Sequence, residues 1–290
     1  MKKYKHKQTK LIFTYTALIP CLVVMGVFIY FPLIYGFRVS LAKDWSLNQF
    51  VGFSHYIKLV RSSEFWNSLK VTLVFCSAYT LIINTLGLFL AILVNKKIKF
   101  RNFFRAALFS PYMISMVAVG LIWQYMLNEK NGLINYLLKF VRIPAISWLA
   151  DSRIALFSLI LIQSWTLTGY IMLLLLAGLQ GISKSYYESA EIDGAGASAK
   201  LLYISIPLLR PTLFLSSLTG FIQGFVLSFA LVKVVTLGGP MHSTDIFSYF
   251  IYRTAFDYFD LPLANALSIL GLSFLAILGI ILFKLQERSA

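Results

Sequence analysis

The sequence is short of charge, cysteine and histidine, and each shortage excludes something. Of its 290 residues only 13% are Asp, Glu, Lys or Arg, about half the share of a soluble domain. A soluble chain must cover its core with a charged surface, and a chain that is 59% hydrophobic has too little charge to do so. The two cysteines, Cys21 and Cys76, are too few for a disulfide framework or a zinc site. Both lie in apolar stretches, where a thiol behaves as a small hydrophobe. The three histidines, His6, His55 and His242, are far apart in the chain, so no metal site is expected. The sequence has no Gly-x-x-x-x-Gly-Lys-Ser/Thr loop to cradle phosphates. No hydrolase or transferase constellation is visible, and the chain is not expected to be an enzyme.

What is present is apolar sequence in long blocks. Six stretches are free of Asp, Glu, Lys and Arg: Leu11 to Phe37, Val71 to Asn95, Ala106 to Asn128, Ile154 to Ser183, Pro211 to Val232 and Leu261 to Phe283. Each is long enough for a helix to cross a bilayer, which takes roughly 20 residues. Hydrocarbon offers the backbone no hydrogen-bond partner, so each is read as a helix. Barrel strands would be short and alternating. The expected fold is all-α, a polytopic membrane protein with six transmembrane helices. The first stretch follows a Lys-rich segment, as a secretory signal does. It is too long for a signal and no small-x-small cleavage site follows, so it is read as retained.

The formal net charge of +15 would suit a nucleic-acid binder, but its distribution follows membrane topology instead. With the N-terminus inside, 15 of the 26 basic residues fall in the cytoplasmic segments, which are the shorter ones. The positive-inside rule then places both termini in the cytoplasm. The outer connections are Arg38 to Lys70, Glu129 to Arg153 and Lys233 to Asp260. They are too short for a separate domain and are expected to form short helices at the membrane surface. Trp45, Trp66 and Trp148 suit that interface.

One inner segment stands apart. Gln180 to Arg210 holds three of the eleven carboxylates, Glu188, Glu191 and Asp193. Ser183 or Ser185 can cap a helix start, and Ser185 with Glu188 fits a capping box. Gly194 and Gly196 can end that helix in a left-handed conformation. A second short helix is expected from about Ala197 to Ile204, with Pro207 and Pro211 leading into the fifth span. Standing alone, Glu188 would be an ordinary surface carboxylate on a solvated loop.

Taken together, these residues resemble the permeases of ATP-binding-cassette importers. Their signature is Glu-Ala-Ala, three residues, Gly, nine residues, then Ile-x-Leu-Pro. Here Glu188-Ser189-Ala190 precedes Gly194 by the same interval, and Ile204-Ser205-Ile206-Pro207 follows at the same distance. Ser189 and Ile206 are the two departures. The form from Tyr187 to Ala195 is typical of the carbohydrate-importing branch. Phe50 to Tyr56, Trp123, Gly132 to Asn135, Trp148-Leu149 and Thr236 to Pro240 also resemble family landmarks, the last being closer to the maltose-type F permease than to its partner. The chain is more similar to the shorter six-span form common in oligosaccharide systems, of multiple-sugar or raffinose type, and in glycerol-phosphate systems.

The resemblance implies a type I importer permease fold with a cytoplasmic coupling helix. It implies a segment 1–66 of tail, first span and outer loop, a permease core over 67–284 with its coupling loop at 180–210, and a cytoplasmic tail at 285–290. The ATPase-coupling residues would be Tyr187, Glu188, Ala190, Asp193, Gly194, Ala195, Ile204 and Pro207. The implied partners are a second permease subunit, ATP-binding-cassette ATPase subunits and an extracytoplasmic sugar-binding protein. That protein would dock near Gly238, Gly239 and Pro240. ATP and Mg would be used by the partner ATPase, and no cofactor is expected on this chain.

The spans carry polar residues but no charge, which argues against ion coupling and fits a neutral substrate. In the fourth span Gln163, Thr166 and Tyr170 share one helix face, and in the fifth Ser216, Thr219 and Gln223 do the same. If the two faces meet, they form a polar seam for a sugar, with Trp165, Tyr170 or Phe225 against its ring. Such residues also hold bundles together by interhelical hydrogen bonds, and both roles are open at this point. Three functions are weighed: an importer subunit for a sugar or for glycerol-3-phosphate, an autonomous secondary transporter, and a membrane-bound lipid enzyme. The motif spacing opposes the second, and the lack of a carboxylate, His or Cys cluster opposes the third. No inverted repeat is visible.

Overall fold

The structure is a computed structural model that describes residues 16, 18–96 and 99–287. The first four residues of the first expected span, Leu11 to Thr14, therefore lie outside the described residues, as do Tyr15 and Ala17. The fold is all-helical, and its sole β feature among the described residues is a bridge between Ala42 and Phe50. Four helices are long and apolar enough to cross a membrane, or six if each of two bent pairs counts as one span.

In chain order these are α1 (Leu18–Ser40), α2 (Ser54–Arg61), α3 (Ser63–Asn95), α4 (Arg101–Phe109), α5 (Met116–Met126), α6 (Leu133–Phe140) and α7 (Ala155–Gly181). Then come α8 (Lys184–Ile192), α9 (Ala197–Leu208), α10 (Arg210–Val226), α11 (Phe229–Val235), α12 (Phe247–Tyr252) and α13 (Leu261–Glu287). As expected, the connections 38–70, 129–153 and 233–260 carry short helices: α2, α6 and α12.

The chain divides into two compact units, Met1–Arg61 with Ile251–Leu272, and Ser62–Phe250 with Ser273–Ala290. In the first, α1 includes a π-helical turn at Gly26–Tyr30. Its Gly36 approaches Asn265 so closely that a Cβ would lie 2.7 Å from the Asn265 Oδ1. The loop after α1 is tied down by Ser40 to the Tyr56 hydroxyl at 2.6 Å and by the His55 ring to the Ala42 carbonyl at 3.0 Å. Asp260 caps α13, its Oδ1 accepting from the Leu263 amide at 3.1 Å.

The second unit is organised by α3 and α7. Ser62 caps α3 by accepting from the Phe65 amide at 3.2 Å, so the helix begins eight residues before the charge-free stretch does. Phe75, Tyr79 and Ile83 of α3 and Leu167, Ile171, Met172 and Leu175 of α7 are fully buried between helices. In a bilayer, lipid is as apolar as leucine, so close packing and small residues must supply the adhesion. Gly169 illustrates this. A Cβ there would sit 2.0 Å from the Leu108 carbonyl oxygen, so α4 crosses α7 backbone against backbone and only glycine fits.

Two expected spans are not single helices. The stretch Ala106 to Asn128 bends by 95° between Arg101–Met113 and Met116–Met126. Pro111 cannot donate to the helix ladder; it sits in a 3-10 turn, Ser110–Met113, and Ile114 leaves it in extended conformation. The stretch Pro211 to Val232 breaks after Val226 and resumes at Phe229. The chain also bends by 68° between α9 and α10, where Pro211 takes the first turn of α10. Length and apolarity do not register such breaks.

Candidate functional site

The segment between the fourth and fifth spans folds into a helical hairpin, α8 and α9. Ser183 is the residue that caps α8, its Oγ lying 3.4 Å from the Ser185 amide. The capping box of Ser185 with Glu188 therefore does not form: with Ser183 as cap, Glu188 falls too deep in the helix to reach back. Gly194 ends α8 at φ +77°, and the Ala195 amide reaches back to the Ala190 carbonyl at 2.8 Å. This is the left-handed glycine stop, which residues with a Cβ resist. Gly196 differs from expectation. At φ −70° and ψ 172° it is extended and opens α9. Helix α9 runs past Ile204 to Leu208, through a π-helical turn at Leu201–Ser205, and Pro207 lies in its last turn.

Two side-chain contacts tie the hairpin together. Lys200 Nζ lies 2.6 Å from Glu191 Oε1, and the Tyr187 hydroxyl lies 2.9 Å from Ser205 Oγ. Ser205 also donates to the Lys200 carbonyl at 3.3 Å within the π turn. Of the expected coupling residues, Glu188, Asp193 and Gly194 are exposed, while Tyr187, Ala190, Ala195, Ile204 and Pro207 are half-buried. Among the described residues Glu188 makes no ion pair. The sequence reading missed Ile192, which is 87% exposed at the end of α8. A large aliphatic side chain this exposed beside free carboxylates is the kind of anchor that fills a partner's pocket. Its apolar character inside a polar hairpin is the signal that was there to be read.

The seven expected pathway residues sort into two groups. Gln163, Thr166 and Ser216 are buried. Ser216 Oγ bonds Asn84 Oδ1 of α3, Thr166 donates to the Gln163 carbonyl at 2.7 Å, and the Gln163 side chain lies beside the Tyr79 hydroxyl of α3. Gln163 of α7 and Ser216 of α10 thus each lie against α3. On α10 the contact is made by Gly220 and Gly224, whose added Cβ atoms would meet Ile83 at 2.7 Å and Cys76 Sγ at 3.1 Å. That Gly-x-x-x-Gly spacing is a recognisable close-packing signal, and it outranks the polar pattern. Trp165, Tyr170, Thr219 and Gln223 keep partial exposure. Trp165 meets Trp123 edge-on with ring centroids 5.7 Å apart, and Tyr170 stacks on Tyr112 at 4.9 Å. Trp165 also lines a cavity of about 380 Å³ with Pro111, Ser164 and Thr168. Phe225, the other aromatic considered, is buried against Phe247 and Phe274.

On the opposite end, Gly238, Gly239 and Pro240 form a built turn. Gly238 is left-handed at φ +77° and the Gly239–Pro240 peptide is cis. Thr244 donates to the Gly239 carbonyl at 2.6 Å, and Asn67 of α3 donates to the His242 carbonyl at 3.0 Å. The turn presents Met241, almost fully exposed. Nearby, Asn135 locks the connection between α5 and α7: it donates to the Glu129 and Ile146 carbonyls and accepts from the Ile146 amide and the Trp148 indole. Asn135 and Trp148, singled out in the sequence as separate landmarks, are two ends of one hydrogen-bond network.

Among the described residues no group of three His, Cys, Asp or Glu could hold a metal ion. Long apolar helices, with a capped polar hairpin at one end of the second unit and a braced turn at the other, define a membrane-embedded protein. The chain belongs to the family of binding-protein-dependent transport system inner membrane components, whose profile matches residues 83–289. A probable ABC transporter permease protein of Sinorhizobium fredii is 33% identical over 88% of this chain and 82% of its own. The trehalose/maltose transport system permease protein of Thermococcus litoralis is 32% identical over 92% and 90%. The sn-glycerol-3-phosphate transport system permease protein of Agrobacterium fabrum is 28% identical over 96% and 95%. In fold, the chain is similar to a crystal structure of a bacterial ABC transporter involved in import of the acidic polysaccharide alginate. The TM-score is 0.85 at 22% identity, over 99% of both chains.

Proposed function

We propose that this chain is the permease subunit of an ATP-driven importer that carries a neutral sugar, an oligosaccharide in particular, across a bacterial cell membrane. The observation that carries the reading is the hairpin at Lys184–Leu208: a capped, internally tied element whose exposed face holds Glu188, Asp193 and Ile192. A short helix fixed at both ends passes on a push without bending. Partner ATPase subunits, using ATP and Mg, would receive this hairpin in a cleft, with Tyr187, Glu188, Ala190, Asp193, Gly194, Ala195, Ile204 and Pro207 shaping the contact. The core would extend over 67–284, with 1–66 and 285–290 flanking it.

In this reading the bent stretch Ala106 to Asn128 and the broken stretch Pro211 to Val232 each count as one span, giving six, and both termini are cytoplasmic. A second permease subunit completes the pathway, and a sugar-loaded extracytoplasmic protein docks at Gly238, Gly239, Pro240 and Met241. A complex with a pentasaccharide-bound periplasmic protein exists for the alginate transporter of the same fold. ATP binding draws the ATPase pair together, the hairpins follow, and the bundle opens outward; hydrolysis returns it. Trp165, Tyr170, Thr219 and Gln223, partly exposed and uncharged, suit a sugar's hydroxyls and ring face. Gln163, Thr166 and Ser216 lie behind them and set their frame.

A second reading, import of glycerol-3-phosphate, is supported by the Agrobacterium fabrum relative. It is opposed by the pathway's chemistry, since a phosphate would call for Arg or Lys and none of the seven residues is charged. The test is to tag the chain, extract it in mild detergent and identify its companions by mass spectrometry. Recovery of an ATPase, a second permease and a solute-binding protein is expected. Recovery as a lone chain or homo-oligomer overturns the reading.

A further inference from the structure

Helix α6 exposes an apolar side. Leu133, Tyr136, Leu137 and Phe140 recur at intervals of three and four, and all are exposed, Phe140 to 71%. Beside that face lie two clefts that share Tyr136 and Lys139. One, of about 700 Å³, is also lined by Tyr125, Glu129 and Lys130. The other, of about 410 Å³, is completed by Phe140 and Arg142. Lys130, Lys139 and Arg142 make no ion pair among the described residues, so three cations face one carboxylate, Glu129.

The end of α6 adds a second observation. The Ile143 amide bonds the Leu138 carbonyl at 3.1 Å, the stop that normally takes glycine at the left-handed position. Here that position is Arg142, at φ 60°. An arginine held in a conformation that costs a residue with a Cβ places a guanidinium at the mouth of the smaller cleft.

We infer that this corner of the molecule binds the headgroup of an anionic phospholipid. The phosphodiester sits between Lys139 and Arg142, with Lys130 in the adjoining cleft. The acyl chains lie along Leu133, Leu137 and Phe140. The charge decides the class: a zwitterionic headgroup brings its own cation, which three unpaired basic groups oppose. A helix whose exposed apolar side is flanked by basic groups, here Lys139 in its last turn with Lys130 and Arg142 just beyond its ends, is the arrangement that anionic lipids hold. The inference needs only that the chain is membrane-embedded and does not depend on the transported solute; the proposed topology merely assigns the site to the outer leaflet.

The complete importer is reconstituted in nanodiscs of equimolar phosphatidylglycerol and phosphatidylcholine, re-extracted, and its retained lipids counted by native mass spectrometry. Phosphatidylglycerol is expected to be retained over phosphatidylcholine. Lys139→Gln with Arg142→Gln removes two cations and should weaken that preference roughly thirtyfold. The charge-keeping pair Lys139→Arg with Arg142→Lys should hold it, and millimolar glycerophosphate should not displace it. Equal retention by wild type and the neutral variant overturns the inference. So does displacement by glycerophosphate, which would mark a soluble phosphate site. Loss of the second permease from the neutral variant would also overturn it, because that outcome means a protein covers α6. Sugar-stimulated ATPase activity of the same nanodiscs reports separately on the transport reading.

Discussion

Lys200 reaches across the turn at Gly194 to place its ammonium 2.6 Å from Glu191, linking α9 to α8. The Glu191 side chain is 66% exposed, and exposed pairs contribute about 0.2–1 kcal/mol. Glu191→Gln is therefore expected to change uptake by less than about twofold. Gly194→Val should do far more. A β-branched residue at φ +77° costs about 1–2 kcal/mol or more in backbone strain, and it undoes the stop that sets the angle between the helices. Pull-down of the partner ATPase should fall about tenfold for Gly194→Val and hardly at all for Glu191→Gln. The reverse order would mean that the ion pair, and not the turn, shapes the hairpin.

Ile192 projects from the end of α8 with most of its surface exposed. Replacement by Ser removes an apolar group that the free chain leaves in water, so the chain's own thermal stability should be unchanged. Burying such a side chain is worth roughly 1.5–3 kcal/mol, and ATPase assembly should weaken at least tenfold. Unchanged assembly would move the contact to the acidic side of α8, around Glu188 and Asp193.

Asn135 fastens the connection between α5 and α7 through four hydrogen bonds. Asn135→Ala leaves the partners in that half-buried region unpaired, at about 1–3 kcal/mol for each group that water cannot reach. Limited proteolysis within 129–153 should accelerate at least tenfold while the α3–α7 core stays intact. Cleavage at the wild-type rate would show that the connection is held by its other contacts.

The pathway residues divide by burial, and their variants should divide the same way. Gln223→Ala, at a half-buried position, is expected to lower sugar-stimulated ATPase activity with assembly preserved. Ser216→Ala breaks the bond to Asn84 and should lower thermal stability, by about 0.6 kcal/mol on average for such bonds within membranes, with stimulation kept. Equal behaviour of the two variants would remove the distinction between lining and frame.

Much of this was legible in the sequence because each element writes its own pattern. The span near Ile154 to Ser183 came within two residues of α7 at either end, since a charge-free run bounded by polar residues has few alternatives. Gly194 was identifiable as a stop because α8 must end somewhere between Glu191 and Ala197. What was not legible depends on partners distant in sequence. Pro111 and the 95° bend look like ordinary apolar sequence until the helix is traced. Gln163 and Ser216 could have lined a seam or bonded between helices, and each lies against α3. That choice follows from the approach allowed by Gly220 and Gly224, which a polar pattern does not contain. Asn135 and Trp148 stood out singly, but their bond spans a loop whose path the sequence does not specify.

The most direct test of the central claim is uptake by proteoliposomes holding the assembled importer, with its solute-binding protein outside and ATP within. Labelled neutral oligosaccharide and labelled glycerol-3-phosphate are offered in turn. The expected result is oligosaccharide uptake that requires ATP, stops with Gly194→Val and is indifferent to ion gradients. Uptake of glycerol-3-phosphate alone, or sugar uptake that follows an ion gradient without ATP, would contradict the account.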